Sequence, residues 1–539
     1  MAKVTVKREA RWLLTVNAIR ALEARFLPHI PLMQRAGAAL ANHLRRWAEQ
    51  GHRIVLLCGP GNNGGDGLVA ATRLHELGFS VTVVALEPSE RISPEARTAW
   101  QDWRACGGET RNTPPQVGAD RPAVIVDALF GIGLTRPIAS PYREWIHWAL
   151  SQAAIRVAVD VPSGLDADTG MRVGDAVFEA HETVTFLADK PGLHTHDGPD
   201  VAGVVTVYHL GLNDEIAAQC SQQQYALFAN EESWDETASS EPASAGILLD
   251  RALFSLWLTP RKRNVHKGCF GHAVIIGGAS GMRGALHLAA RSALYLGSGK
   301  VSAITLAKEA PRFDPTLPEV MWPTALPQTV SAIAIGPGLG QTSDAVRWLE
   351  EALAVSVPLV IDADGLNLLA QHATLQRAVT ERRAPTVLTP HPGEAARLLQ
   401  TPPREVQKNR IAAAVAIARR YRCVVILKGC GSVIATPHGH WAINPTGHGG
   451  MASGGMGDTL TGILVALLAQ GWPCVAAAAF AAYLHGRAAE DAAQMEVGPV
   501  GLTASETAAA ARRLFNRWIA DGAPRAQPVR PLSHTPSFP

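Results

Sequence analysis

The aliphatic run Arg53-Ile-Val-Leu-Leu-Cys58 stops abruptly at Gly59-Pro60-Gly61-Asn62-Asn63-Gly64-Gly65-Asp66-Gly67, and this junction restricts the fold more than any other stretch of the chain. An uninterrupted apolar run of this length fits a strand covered on both faces, the pattern of a parallel sheet flanked by helices. The helix-like Leu68–Leu77, a stop at Gly78 and the strand-like Val81–Leu86 complete a βαβ unit. Further strands are expected at Ala123–Val126, Ile155–Val159, Thr183–Leu187 and Val204–Tyr208, each short and bounded by Gly, Pro or Asp. The first half thus reads as a Rossmann-like, doubly wound parallel sheet.

From Asn213 to about Ala245 the chain turns polar and poor in glycine, as a connector does. A second α/β pattern follows, with strands expected at Ala273–Ile276, Ile333–Ile335, Leu359–Ile361, Thr386–Leu388 and Val424–Leu427 and alanine-rich helices between them. The expected layout is a first domain over 1–220, a connector over 221–245, a second domain over 246–520 and a proline-rich tail over 521–539. Pro524, Pro528, Pro531, Pro536 and Pro539 prevent regular structure in that tail, which is expected to be disordered.

Charge decides the class of partner. Basic and acidic residues number 49 and 47, so no net field exists to hold nucleic acid or an anionic membrane. The most apolar stretch, Ile463–Tyr483, is broken by Gln470-Gly471-Trp472-Pro473, so no transmembrane helix is expected. Met1–Ile30 is punctuated by charges and lacks the apolar core of a signal peptide, and the cysteines form no C-x-x-C pair. A reduced, cytoplasmic protein acting on small molecules, as a homo-oligomer, is the expectation.

Gly59-Pro60-Gly61-Asn62-Asn63-Gly64 formally satisfies G-x-G-x-x-G, and Glu87 ends the next strand where a ribose-binding acid would sit. An NAD dehydrogenase is therefore a competing reading. Against it, the turn places two amides and the Asp66 carboxylate where a dinucleotide fingerprint has small uncharged residues. Two more strand ends carry acids, Asp127-Ala128-Leu129-Phe130-Gly131 and Asp160-Val161-Pro162-Ser163-Gly164. Ligands of open parallel sheets bind at strand carboxyl ends, so Asn62–Asp66, Asp127 and Asp160 should converge on one crevice. Asn63, Asp127 and Ser163 offer only oxygen ligands, which suit a hard cation. Helix capping by the Asp and Ser side chains is the plainer alternative.

These stretches, with Val161-Pro162-Ser163-Gly164-Leu165-Asp166 and Lys190-Pro191-Gly192, resemble the NAD(P)H-hydrate epimerase domain. The resemblance implies that Asn62, Asn63, Gly64, Gly65 and Asp66, together with Gly131, Ile132, Gly133, Leu134, Thr135, Arg136 and Pro137, embrace the hydrate. It further implies that Asn63, Asp127 and Ser163 hold potassium (K+) and that Asp160 contacts the substrate. A carboxyl group there could shuttle the proton of a hydroxyl that leaves and returns with inversion, and Asp160 is the catalytic candidate.

In the second half, Asn444-Pro445-Thr446-Gly447 precedes the glycine loop Met451-Ala452-Ser453-Gly454-Gly455-Met456-Gly457-Asp458, which leads into the helix-like Thr459–Leu468. Such a loop offers free amides and a positive dipole end to a phosphate. Asp458 is either an N-terminal cap or a base that takes a proton from an attacking hydroxyl. Lys428-Gly429-Cys430-Gly431-Ser432 is either a second phosphate-gripping turn or an exposed loop. With His266-Lys267-Gly268, Gly336-Pro337-Gly338, Asp362-Ala363-Asp364-Gly365 and Thr389-Pro390-His391-Pro392-Gly393-Glu394, these motifs resemble the ribokinase-like fold and its ADP-dependent NAD(P)H-hydrate dehydratase branch. The resemblance implies that Lys428, Gly429, Cys430, Gly431, Ser432 and Gly457 hold the nucleotide. Ala285, Gly338, His391 and Asp458 would face the hydrate, with magnesium (Mg2+) bridging the phosphates of ADP. His448-Gly449 stands where that family has Asn-Pro.

The two resemblances together imply a bifunctional enzyme that interconverts the epimers of hydrated NADH and NADPH (NADHX and NADPHX) and dehydrates the S form at the expense of ADP. A ribokinase-like small-alcohol or vitamin kinase with an accessory domain, and a non-catalytic nucleotide-binding scaffold, are the competing readings.

Overall fold

The computed structural model of the protein describes residues 11–27, 29–89, 92–115, 122–218, 220, 241–309, 315–495 and 498–522. They form two α/β layers systems, each built on one sheet. The first sheet is wholly parallel, in the order Thr110–Arg111, Val81–Val84, Ile54–Cys58, Val124–Ala128, Ile155–Val159, Glu182–Phe186, Val204–Tyr208. Chain order reverses between Ile54–Cys58 and Val124–Ala128, so the crevice beyond their carboxyl ends is the switch point of the sheet. Alternate residues serve opposite layers. Ile54, Leu56 and Cys58 pack with Leu40, Leu44 and Leu68, while Val55 and Leu57 pack with Trp145 and Ile146.

The second sheet has eleven strands. From Val320–Met321 through Lys300–Thr305, His272–Gly277, Ala332–Ile335, Leu359–Ile361 and Thr386–Leu388 to Val424–Leu427, neighbours are parallel. Val424–Leu427 then turns into the antiparallel strands Ser432–Ala435 and Trp441–Asn444. Ala245–Leu248 and, antiparallel to it, Arg11–Leu14 finish the sheet. Order reverses here between His272–Gly277 and Ala332–Ile335, which places a second switch point at Gly277 and Gly336.

The helix Met456–Ala469 is apolar on nearly every side because it is enclosed by the sheet and by the helices Arg283–Tyr295 and Cys474–Met495. Gln470–Pro473 forms the turn between the two apolar helices, and among the described residues no helix is long and apolar enough to cross a membrane.

The expected layout differs in three places. Arg11–Leu14, expected within the first domain, joins the far edge of the second sheet, because Trp12 and Leu14 bury themselves beside Ile247 and Leu249. Ala245, expected to close the connector, opens a fully buried strand, while residues 221–240 lie outside the described residues. Asp521 and Gly522, expected in the tail, end the helix Ala504–Gly522, and 523–539 lie outside the described residues.

The N-terminal strand is also tied to the first sheet. The Leu14 amide donates to the Asp189 carbonyl at 2.9 Å, and the Arg11 guanidinium meets the Asp189 carboxylate at 2.5 Å. Leu14→Ala removes a fully buried side chain and should cost about 2–5 kcal/mol. Urea unfolding with hydrogen exchange would show Ala245–Leu248 losing protection while Ile54–Cys58 keeps its own.

Candidate active sites

The helix Asn62–Glu76 begins inside the glycine turn, six residues before the expected Leu68, because the turn folds directly onto the neighbouring strand end. A Cβ on Gly59 would lie 1.9 Å from the Leu129 carbonyl oxygen, and one on Gly64 would lie 2.0 Å from that of Gly59. Only glycine permits this approach.

At the switch point lies a cavity of about 480 Å³. Asn62, Asn63 and Asp66 line it from the helix, Gly131, Ile132, Gly133 and Leu134 from the loop after Val124–Ala128, and Asp160 and Lys190 from the next two strand ends. Ile19, Arg20 and Glu23 of the helix Val16–Phe26 form a further wall. Gly64 and Gly65, expected at the ligand, instead face Gly59 and Met33, because they serve helix packing. Thr135, Arg136 and Pro137 are exposed and do not line the cavity, because the chain leaves its rim at Leu134 and Pro137 packs on Gly174.

Asp160 is held at φ 66°, a left-handed conformation uncommon for a residue with a side chain. The buried Lys190 ammonium donates to Asp160 Oδ1 at 2.6 Å, Thr185 Oγ1 at 2.7 Å and the Phe186 carbonyl at 2.8 Å. All three ammonium protons are used, which fixes the Asp160 carboxylate. Asp66 holds its proton well above the usual aspartate range, through burial first and then the charges of Asp160 and Glu23. Burial and the Asp160 charge raise Glu23 as well.

Below the cavity floor, Asp127 is fully buried and accepts from the Ser163 amide at 2.7 Å, the Ser163 hydroxyl at 2.7 Å and the Leu129 amide at 3.1 Å. Burial pushes its pKa up to about 6 against those bonds. Asn63 reaches toward the same loop, and both its side-chain polar atoms are buried without a hydrogen-bond partner among the described residues. A buried unsatisfied amide is costly unless a ligand completes it.

In the second sheet the candidates gather at the carboxyl ends of four neighbouring strands and one helix start. Ala285 and Gly338 meet across the switch point, where a Cβ on Gly338 would lie 3.3 Å from that of Ala285. His391 caps the helix Pro392–Leu399, its Nδ1 accepting from the Gly393 and Glu394 amides while Glu394 accepts from the His391 amide. Partial burial and the Lys428 charge lower its pKa, so the imidazole stays neutral. Lys428 Nζ donates to the buried Asp362 carboxylate at 2.8 Å, and the Thr461 hydroxyl donates to its other oxygen at 2.7 Å. Burial alone would raise Asp362, yet the Lys428 charge and these bonds hold it below the usual range.

The two readings of Asp458 part here. The N-cap of Met456–Ala469 is Gly455, at φ 90°, and no side chain makes the capping bond. Asp458 is thus not spent on capping. Burial, then the nearby Asp362 charge, raises its pKa to about 7 despite Lys428. Gly457 lies beside this cluster, its Cβ position 3.4 Å from Lys428 Nζ. The Lys428–Ser432 turn is a hairpin turn in which Gly431 packs on the first unit while Gly429 and Cys430 are exposed. His448 is explained structurally: it caps the short helix Gly449–Met451 through Nδ1 and meets the Ala489 carbonyl through Nε2.

Comparison with known proteins bears on this pair of sites. Residues 273–510 match the family described as NAD(P)H-hydrate dehydratase, and residues 29–192 match the one described as YjeF-related protein N-terminus. The chain is 37% identical over 499 residues to a bifunctional NAD(P)H-hydrate repair enzyme of Coxiella burnetii, covering 90% of this chain and 94% of that one. The chain belongs to the bifunctional NAD(P)H-hydrate repair enzyme family. A second member of the family, from Escherichia coli, is 36% identical over 497 residues, covering 91% of this chain and 90% of that one. Among solved structures, an ADP/ATP-dependent NAD(P)H-hydrate dehydratase from Bacillus subtilis co-crystallized with ATP/Mg2+ is 34% identical, covering 50% of this chain and 98% of its own with a TM-score of 0.45. The candidate residues within 62–190 and within 285–458 each lie in their own matched stretch, whereas Ile19, Arg20 and Glu23 lie outside both.

Four residues beside the two catalytic candidates were not among the expected site residues. Lys190, Asp362 and Glu394 stand inside motifs that the sequence displays, but Glu23 sits on an ordinary amphipathic helix and gives no local signal. Glu394 is pushed up to about 7, chiefly by burial. Lys190→Met would leave Asp160 without its counter-charge and two acceptors without a donor. The expected loss is about 3–5 kcal/mol in urea unfolding, with the fold of the second sheet retained.

Proposed function

We propose that this chain repairs hydrated NADH and NADPH at both sites, epimerising the hydrate at the first and dehydrating its S form at the second at the expense of ADP. The observation that carries the reading is Asp458, a half-buried carboxyl with a raised pKa that makes no cap and lies beside Lys428 at the start of a glycine-led helix.

At the first site, the hydroxyl on ring carbon C6 must leave and return on the other face. Asp160 is the group that exchanges the hydroxyl proton, positioned by Lys190, with the proton-holding Asp66 close by. Asn62, Asn63 and Gly131–Leu134 surround the hydrate. Asn63, Asp127 and Ser163 would hold potassium: every donor is an oxygen, and Asn63 Oδ1 is a buried oxygen without a partner among the described residues. The cation supplies positive field that orients the hydrate's polar groups.

At the second site, Asp458 takes the proton of the C6 hydroxyl as that oxygen attacks the terminal phosphoryl group of ADP. The product is a phosphate ester and AMP. The ring-nitrogen lone pair then expels phosphate, and loss of a C5 proton restores the dihydronicotinamide. Amides of the Gly454–Gly457 loop and of Lys428–Ser432 meet phosphate charge, while Ala285, Gly338 and the neutral His391 bound the hydrate. Magnesium carried with the nucleotide neutralises part of that charge. The expected setting is cytoplasmic, and a homo-oligomer is part of the same reading.

A mixture of NADHX epimers supplied with ADP and magnesium should recover dihydronicotinamide absorbance completely, with one phosphate released per hydrate. A stable phosphorylated product would favour a kinase instead. Asp458→Asn should abolish dehydration and spare epimerisation. Because the base form is the active one, the wild-type dehydration rate should rise tenfold per pH unit below about 7 and level off above it. Asn63→Ala should remove the stimulation of epimerisation by potassium over sodium, measured as the ratio of rates in the two salts.

A further inference from the structure

The turn that carries Lys428–Ser432 is braced from the first unit. Thr195 is buried, and its hydroxyl lies 3.2 Å from the Cys430 carbonyl oxygen and 3.3 Å from that of Gly431. Among the described residues these are the partners of that hydroxyl; it serves nothing in its own unit. The His196 amide donates to the same Cys430 carbonyl at 3.3 Å. Contact is too close for a side chain, since a Cβ on Gly431 would lie 2.0 Å from the His194 carbonyl oxygen.

These bonds set direction as well as place. The Cys430 carbonyl and the Gly431 amide are opposite ends of one planar trans peptide, as are the Gly431 carbonyl and the Ser432 amide. With both carbonyls turned to Thr195, both amides are turned away from it. Of these two, the Gly431 amide has no protein acceptor among the described residues, whereas Ser432 enters the strand paired with Trp441–Asn444, and the Gly429 amide is tied to Ser432 Oγ at 3.2 Å. The Gly431 amide, turned away from Thr195 and without an acceptor, is left to meet an anion, as backbone amides of such turns do.

We propose that Thr195 is a positioning residue for dehydration: a side chain of the first unit holds the nucleotide loop of the second in its phosphate-binding conformation. This rests on the reading of Lys428–Ser432 as the loop that takes the phosphates of ADP. Adhesion between the units would alter stability alone. Positioning alters nucleotide affinity and leaves the chemistry and the hydrate site untouched.

The test uses the full chain carrying Thr195→Val, with Thr195→Ser as the rescue and Thr195→Ala as a second hydroxyl-free variant should the valine not fold. Losing a neutral hydrogen bond of this kind should raise the KM and Kd for ADP about threefold to tenfold. The kcat at saturating ADP, the KM for the S hydrate and the epimerisation rate should stay at parent values, and Thr195→Ser should restore ADP affinity. Amide exchange of the parent with and without ADP checks the underlying reading, which expects protection of 429–432. Protection with an ADP affinity of the hydroxyl-free variants within twofold of the parent would overturn the positioning role alone. Absence of protection would overturn the loop assignment and the proposal with it.

Discussion

Both sheets bury their strands on two faces, and this constraint decides where chemistry can stand. Ladder hydrogen bonds consume the backbone groups, and the side chains of Ile54–Cys58 or Ile333–Ile335 must be apolar on either side. Inside the strands the buried polar side chains are small hydroxyls such as Thr82, Thr183, Thr185 and Ser302, and the sites' carboxylates Asp127, Asp160 and Asp362 stand at or just past strand ends. In a parallel sheet all carboxyl ends lie on one edge, so Asp160 and Lys190 meet across 30 residues of sequence, with Asp127 at the end of the neighbouring strand. The same logic assembles Asp362, His391, Lys428 and Asp458 on the second sheet.

The two sites share an electrostatic device. In each, a lysine past a strand end neutralises one aspartate, the buried Lys190 with Asp160 and the half-buried Lys428 with Asp362. In each, a second carboxyl beside the pair is left without a full counter-charge and holds its proton more tightly: Asp66 in the first site, Asp458 in the second. Burial is the larger cause at both and the neighbouring carboxylate adds to it. One ammonium cannot compensate two carboxylates in a poorly solvated setting, so their proton affinities separate. Such a separation is what proton transfer needs.

Much of this was legible in the sequence. Leu359–Ile361, Thr386–Leu388 and Val424–Leu427 stand where the apolar runs place them, because a strand covered on both faces leaves a continuous signature, and Ile155–Val159 and the edge strand Val204–Tyr208 also stand at their β-branched runs. The strand Arg11–Leu14 left none. Its pairing with Ala245–Leu248 spans most of the chain's first half, and Ala245 follows a stretch whose polarity reads as a linker. The hairpin Ser432–Ala435 with Trp441–Asn444 was likewise not read, since the strands expected in the second half ended with Val424–Leu427. At the sites, carboxylates at strand ends were visible as motif residues. What stayed invisible was partnership: that Asp458 makes no cap, that Asn63 is unsatisfied, and that Glu23 approaches Asp160 from a helix with no motif.

The arrangement around Asp189 gives the fusion of the two units a structural content beyond tethering. Buried Asp189 accepts from Arg11, His194 and the Lys190 amide, and its carbonyl takes the Leu14 amide, so the edge strand of the second sheet ends on the first. Burial would raise this carboxyl, but His194 and Arg11 beside it hold it below its usual range, so it remains an anion through the neutral range. From that anchor one short segment runs in both functional directions: Lys190 fixes Asp160, and Thr195 meets the turn at Cys430. A dehydratase that accepts one epimer leaves the other unused unless an epimerase works beside it. Here the segment 190–196 carries both the support of Asp160 and the contact with the 428–432 turn, so the two units are joined by specific hydrogen bonds and not by a linker alone.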